Sequence, residues 1–393
     1  MTAIVKAYQN LKGDKIVWLV VAILFIVSLL SVYSSISSMA FKFRDGNTEY
    51  YLFKHLVMLC IGGGMAYFSY RLHYMQYNKI APLLLFIAIP LLIFTLFFTE
   101  SVNEANRWIT IPWINMNFQT SDFAKLALII FVARSLASKQ EYIKDLKGAF
   151  LPIIVPVFIV CGLIAPADLS TAMLLFATCM MMMFIGRISL KYVFLLLLAG
   201  VLLLSLLIII GTVFPEFTRL ETWMTRITDF AYAPDSNAQV LSSKKAIADG
   251  GIFGVGPGNS VQKNFLYSAF ADFIYAIVCE EYGFFGGMII IGLYLWLLFR
   301  CISIVTQCPK AFGAILAMGL CLNIVIQAFA NIAVSVQLLP ATGVTLPLVS
   351  WGGTSILFTC ISVGIILSVS RYVEEAKEKR IELEKIEEHA SNN

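Results

Sequence analysis

Asp272-Phe273-Ile274-Tyr275, followed by Glu280-Glu281-Tyr282-Gly283, stands where a long polar connection meets an apolar run. A carboxylate at such a boundary is partly desolvated. Partial desolvation makes it a better proton acceptor, the property a general base needs. The same position would also suit a helix N-cap. Glu280 and Glu281 fall about 12 Å deeper, at about 1.5 Å of rise per residue. Carboxylates at that depth need partners, for which Lys125 and Arg226 carry the right charge.

Other stretches could serve a phosphate-bearing lipid. Asn106-Arg107-Trp108-Ile109 sets a guanidinium beside an indole. Arg pairs with phosphate oxygens and Trp packs on carbon at headgroup depth; an aromatic-belt anchor is the plainer alternative. In Phe118 to Lys125, Thr120 or Ser121 can cap a helix, and Asp122 and Lys125 share a face at i,i+3. That pair is either structural or part of a site, since charges within a span face the protein interior. Asp168, before Leu169-Ser170-Thr171, suits a helix start by capping and by the macrodipole. Gly250 to Ser260 holds closely spaced glycines that let backbone amides approach an anion, or that simply turn tightly. Lys263 follows it. From Leu339 to Ser355, Pro340, Gly343, Pro347, Gly352 and Gly353 break any regular helix. Irregular backbone at membrane depth is tolerated only where protein or a wet cavity satisfies it. A buried re-entrant element beside a site is therefore expected there, with Ser350 within it. Asn323, Gln327 and Asn331 before it mark either a hydrated interior or helix–helix bonding.

The elements that position these residues must cross a bilayer. Of 393 residues, 59% are hydrophobic and 13% charged, and mean hydropathy is +0.84. Soluble proteins carry about 25% charged residues. Apolar runs long enough to span fall at 16–39, 51–70, 80–99, 121–138, 149–165, 170–187, 190–214, 271–299, 311–337 and 344–372. The expected fold is all-α and integral to the membrane, with about ten transmembrane helices. One polytopic domain covers 1–372, with a long extracytoplasmic loop, 215–270, between the seventh and eighth helices; 373–393 is a charged cytoplasmic tail. The first run is too long for a signal-peptide core and reads as a true span. Basic residues in alternate short loops place both termini in the cytoplasm. A net charge of +4 excludes a nucleic-acid binder on charge alone. Three His form no ligand cluster, and eight Cys without a CxxC argue against both a His-built metal site and a disulfide framework.

Taken in order, Arg107-Trp108-Ile109, Phe118 to Lys125, Asp168-Leu169, Gly250 to Lys263, Asp272-Phe273-Ile274, Glu280 to Gly283 and Leu339 to Ser355 resemble the SEDS family (shape, elongation, division and sporulation) over nearly the whole chain. The resemblance implies a ten-helix, SEDS-type peptidoglycan glycosyltransferase. Such an enzyme polymerises lipid II on the outer face of the cytoplasmic (inner) membrane, beside a class B penicillin-binding protein. The overall shape is closer to the division branch than to the elongation branch, which implies other division proteins as partners and a place at the septum. The family's catalytic aspartate falls on Asp272, its functional tryptophan on Trp108, and its charged pair in the fourth span on Asp122 and Lys125. This chain has Phe270-Ala271 where the family usually has His-Thr, and Asp122 where Glu is usual. It also has Tyr267-Ser268 in place of Pro-Glu, and Pro166-Ala167-Asp168-Leu169-Ser170-Thr171 in place of Gln-Pro-Asp-Leu-Gly-Thr.

Under that reading Asp272 deprotonates the acceptor sugar hydroxyl, and Arg107, Lys263 and Arg226 meet the charge on the leaving pyrophosphate. Trp108, Asp122, Lys125, Glu280 and Ser350 complete the expected substrate site. A divalent cation, Mg or Mn, could share the role of the basic residues, but no metal-ligand set is legible. A lipid II flippase and a non-catalytic scaffold for the transpeptidase are the rival readings.

Overall fold

The computed structural model describes residues 12–37, 47–98, 108–111, 116–213, 220–232, 238–266 and 269–391. Arg107, and with it Asn106, lies outside them. In chain order the elements are α1 (Lys15–Ser35), α2 (Thr48–Arg71), α3 (Met75–Phe98), β1 (Trp108–Ile111), β2 (Met116–Gln119), α4 (Thr120–Ser138), α5 (Leu151–Ile164), α6 (Leu169–Ile185), α7 (Leu190–Val213), α8 (Leu220–Tyr232), α9 (Ala238–Gly250), α10 (Ile274–Gln307), α11 (Ala311–Ser335) and α12 (Thr354–Ser391).

The chain is an all-α membrane protein. Among the described residues, eight helices are long and apolar enough to cross a bilayer, α5 being counted with the π-helical turn Leu146–Phe150 that leads into it. Two more match expected spans: the apolar α6, of 17 residues, and α4, which carries Asp122, Lys125 and Arg134. Each apolar range read from the sequence thus holds a helix. The last range begins late, because 344–353 is not helical and α12 starts only at Thr354. Pro347, Gly352 and Gly353 explain the delay. The stretch 215–270 is no bare loop: it contains α8, α9 and a 3-10 turn, Gln262–Asn264. Beyond the span, α12 runs on without a break into the charged tail, where residues 377–389 are exposed.

Burial separates the helices by role. In α11, 72% of the most apolar window is inside the protein; in α7 the figure is 6%. An apolar helix exposed on nearly every side is stable only if lipid covers it, so α11 is the hub and α7 the rim. Helices α1 and α10 run antiparallel. Ser34 near the end of α1 therefore meets Glu281 near the start of α10, while Asp14 before α1 meets Arg300 near the end of α10. Those two contacts mark opposite ends of the bundle.

Candidate active site

Between α11 and α12, residues 336–353 run without a regular helix, yet Val344, Leu346, Leu348, Val349 and Ser350 are buried. Their backbone groups need partners. Neutral side chains from the surrounding helices supply them. Asn331 Nδ2 donates to Val344 O at 2.8 Å. Gln327 Nε2 donates to Thr345 O at 3.0 Å, Tyr294 OH donates to Pro347 O, and Ser28 Oγ donates to Val349 O at 2.8 Å. With its one hydrogen committed, Ser28 accepts from His55 Nε2 at 2.8 Å, which fixes the His tautomer. The His55 ring stacks on Trp351, centroids 5.3 Å apart. Between the two anchored carbonyls sits Leu348 at φ +65°. That left-handed conformation costs a non-glycine residue about 1–2 kcal/mol, and the flanking hydrogen bonds hold it.

The strip in turn holds the peptide that carries Asp272. Trp351 N donates to Phe270 O at 2.9 Å, Ser350 Oγ to Ala271 O at 2.5 Å, and Asn331 Nδ2 to Asp272 O at 2.7 Å. Three successive carbonyls are thus fixed ahead of α10. Asp272 is not the cap of that helix, because Phe273 occupies the cap position and no side chain bonds there. The half-buried Asp272 carboxylate instead faces the strip. A Cβ on Gly343, at φ +72°, would stand 3.9 Å from its Oδ2. Arg226 of α8 reaches the same strip, with Nη1 donating to Ala341 O at 3.0 Å.

Asp122 and Lys125 pair at 2.7 Å, both nearly buried. Lys125 Nζ is also 3.5 Å from Gln327 Oε1, whose amide holds Thr345, so this ion pair is tied to the strip as well. Asp122 Oδ2 is buried without a hydrogen-bond partner among the described residues. Neither Thr120 nor Ser121 caps α4; Gln119 sits at the cap position, and no side chain bonds there. Trp108 pairs with Gln119 across the hairpin. Gln119 N donates to Thr354 Oγ1 at 3.1 Å, which docks the hairpin on the first turn of α12.

Glu280 takes a different place. It is 1% exposed and pairs with neither Lys125 nor Arg226. Its Oε1 accepts from Val261 N at 2.8 Å and Gln262 N at 3.2 Å, and its Oε2 from Ser260 Oγ. It therefore caps the 3-10 turn that carries Lys263, whose Nζ donates to Gly258 O at 2.7 Å. The glycines here meet α10 rather than cradling an anion. Gly283 breaks α10 at φ 68°, ψ −164°. At the break Phe284 N donates to Gly251 O at 2.9 Å, while Val255 N donates to Glu280 O at 2.9 Å and Gly256 N to Glu281 O at 3.0 Å. The loop thus replaces part of the helix's own ladder. Any Cβ on Gly250 would lie 2.0 Å from Cys279 O, and one on Gly283 would lie 2.3 Å from Ile252 O.

Of the sequence-predicted residues, Asp272, Arg226, Asp122, Lys125 and Ser350 connect to the strip, and Trp108 stands on the hairpin docked beside it on α12. Glu280 of α10 and Lys263 of the loop meet where that loop is stitched into the helix. Asp168 caps α6, accepting from Thr171 N at 3.1 Å and Thr171 Oγ1 at 2.8 Å. Ser28, His55 and Tyr294 were not singled out from sequence; a polar side chain inside an apolar run was the available signal. Among the described residues no group of three or more His, Cys, Asp or Glu gathers to hold a metal. The described side chains by themselves therefore form no cage for Mg or Mn.

The profile of a family described as cell cycle protein, FtsW/RodA/SpoVE, matches residues 14–375. A protein of Trichlorobacter lovleyi named "Probable peptidoglycan glycosyltransferase FtsW" is 33% identical over 370 residues, 93% of this chain and 95% of its own. The stage V sporulation protein E of Bacillus subtilis is 33% identical over 366 residues, 91% of this chain and 97% of its own. Among solved structures, a chain from a peptidoglycan synthase complex that coordinates polymerization and crosslinking matches with TM-score 0.72 at 23% identity, covering 92% of this chain and 98% of that one. The rod shape determining protein RodA of Thermus thermophilus matches with TM-score 0.66 at 21% identity, covering 92% and 98%.

Proposed function

The chain belongs to the FtsW/RodA/SpoVE family of cell cycle proteins, and we infer from this that it is a peptidoglycan glycosyltransferase. Its substrate is lipid II, which it polymerises into β-1,4 glycan strands. The work is done at the end of the bundle that carries Asp272, on the outer face of the cytoplasmic membrane, during septal wall synthesis. Basic residues at the opposite end, among them Arg71, Lys79, Lys144, Lys147 and Lys310, support a cytoplasmic face there. Both termini and the charged tail then lie in the cytoplasm.

Asp272 takes the proton from the 4-hydroxyl of the acceptor sugar. That oxygen attacks the anomeric carbon of the donor, the bond to the pyrophosphate breaks, and undecaprenyl pyrophosphate leaves with the electron pair. An α-linked donor becomes a β-linked product in one displacement, so a single base suffices, unlike the carboxylate pairs of many glycosidases. Arg226 and Lys263 of the outer segment, with Arg107, meet the leaving charge. Trp108 lies against the lipid-linked sugar at headgroup depth. Asp122 and Lys125 serve from beneath, bracing the strip through Gln327. Glu280 acts on substrate only indirectly, by holding the turn that carries Lys263. A class B penicillin-binding protein crosslinks the glycan, and other division proteins assemble with the pair. The family's chemistry and the placement of the half-buried carboxylate, on a peptide whose carbonyls are fixed, support Asp272 as the base.

The test is polymerisation of lipid II by the purified protein, alone and with a class B transpeptidase, beside Asp272→Ala. Long glycan from the parent and none from a folded variant is expected. A variant that still polymerises would remove Asp272 from this role. No product from the parent even with its partner would move the reading to a flippase or scaffold.

A further inference from the structure

Asn331 of α11 is 1% exposed and has no part in the chemistry above. Its Nδ2 donates twice, to Asp272 O at 2.7 Å and to Val344 O at 2.8 Å. Its Oδ1 is buried with no hydrogen-bond partner among the described residues. Gln327, one turn earlier, uses both ends of its amide, on Thr345 O at 3.0 Å and Lys125 Nζ at 3.5 Å. Asn331 is held for its donor end alone. A buried acceptor left unmatched costs free energy, and such a cost calls for an explanation at the other end of the group.

That other end joins the two peptides whose separation matters most. One carbonyl is that of Asp272 itself. The other belongs to Val344, the neighbour of Gly343, whose Cβ position lies 3.9 Å from Asp272 Oδ2. Trp351 N and Ser350 Oγ hold the two preceding carbonyls, and this NH2 group fixes the last of the three, that of Asp272 itself, against the strip the carboxylate faces. Ser350 cannot replace it, because its hydroxyl is committed to Ala271 O at 2.5 Å and to Leu346 N at 2.8 Å. We propose that Asn331 is the positioning residue of the base, clamping the Asp272 peptide to the 341–353 strip through both hydrogens of its amide. The inference rests on Asp272 being the base.

The test compares Asn331→Leu, a near-isostere without donors, and Asn331→Gln, which keeps the donors on a longer stem. The full chain is reconstituted with lipid II, and kcat, KM and the pH dependence of kcat/KM are measured beside thermal melting. Asn331→Leu is expected to lower kcat about a hundredfold, the scale of a misplaced reacting group, with KM within about twofold. The acid limb of the profile is expected to move, because the carboxylate has new surroundings. Gln should restore part of the rate. An equal loss at every pH with the limb unmoved would make Asn331 merely structural, and full activity in Asn331→Leu would remove its role altogether; either overturns the proposal. Activity retained in Asp272→Ala measured alongside would instead remove the base on which the proposal rests.

Discussion

The two ends of the helix bundle are held by opposite kinds of chemistry. At the end where the chain begins, charges do the holding. Asp14 Oδ1 caps α1 through Ile16 N at 2.9 Å and Val17 N at 3.2 Å. Its Oδ2 accepts from Arg300 Nε at 2.9 Å and Nη2 at 2.5 Å. Its backbone N donates to Ser370 Oγ at 2.7 Å, Gly13 N donates to Glu374, and Lys12 pairs with Glu378 at 3.1 Å. At the far end the buried stretch of the strip, 344–350, is held by Ser28, Tyr294, Gln327, Asn331 and Ser350, all neutral, while the charged Arg226 reaches only its edge, at Ala341 O. Fixed charges beside a working carboxylate would bias its proton affinity. Neutral donors aimed at backbone carbonyls fix the peptide that carries Asp272 without adding a charge of their own. One end is therefore built for anchorage, and the other keeps its nearby ionisable groups for chemistry.

Substitutions can break or sharpen this contrast. The largest expected effect after Asp272 and Asn331 is at Gly283. Gly283→Ala forces a Cβ into Ile252 O at a backbone angle reserved for glycine, with at least about 2 kcal/mol of destabilisation. Limited proteolysis should find the 251–266 loop released, with polymerisation lost; an intact, active loop would mean that the stitch into α10 is dispensable. Asp14→Ala comes next. Removing one partner of a buried pair costs about 3–5 kcal/mol, but the Arg300 side chain is 35% exposed and can rehydrate, so about 1–2 kcal/mol is expected. Melting in detergent should fall while activity per folded molecule stays at the parent level. A loss of rate at equal folding would show that the two ends are not independent. Lys12→Ala is the smallest. The hydrogen bond that Lys12 donates to Glu378 holds the pKa of its ammonium above the ordinary value. Its contribution is therefore present at neutral pH and fades only as pH rises through the folded-state value. Melting at neutral pH should barely change and should be insensitive to salt in the variant; a clear drop would place real anchorage in an exposed pair.

Much of this was legible in the sequence wherever the deciding interaction is local or imposed by lipid. The apolar runs had to be helices, and Asp168 had to find an amide within its own first turn. Asp122 and Lys125 had to meet across one helical face. The helix breaks between Leu339 and Ser355 were visible as prolines and glycines. What stayed hidden depends on contacts made far along the chain. Glu280 found its donors in Ser260 to Gln262, twenty residues back, and its helix gives no hint of that. Gly283 reads as an ordinary helix interior until the loop beside it is known. Ser28, backed by His55, serves Val349, more than three hundred residues beyond Ser28, and nothing local distinguishes Ser28 from a polar residue bonded to its own helix.

The broken ladder of α10 constrains how the protein can be made. The 251–256 segment leaves the ribosome before α10, and it carries the groups that bond Glu280 O, Glu281 O and Phe284 N. Until that segment is delivered and folded back, α10 would enter lipid with bare amides and carbonyls at its break, a condition hydrocarbon does not tolerate. Biogenesis must therefore proceed in a set sequence, with the loop in place and waiting when its helix arrives. An inserted tag or reporter that delays the loop should be punished at insertion, before any sugar is joined.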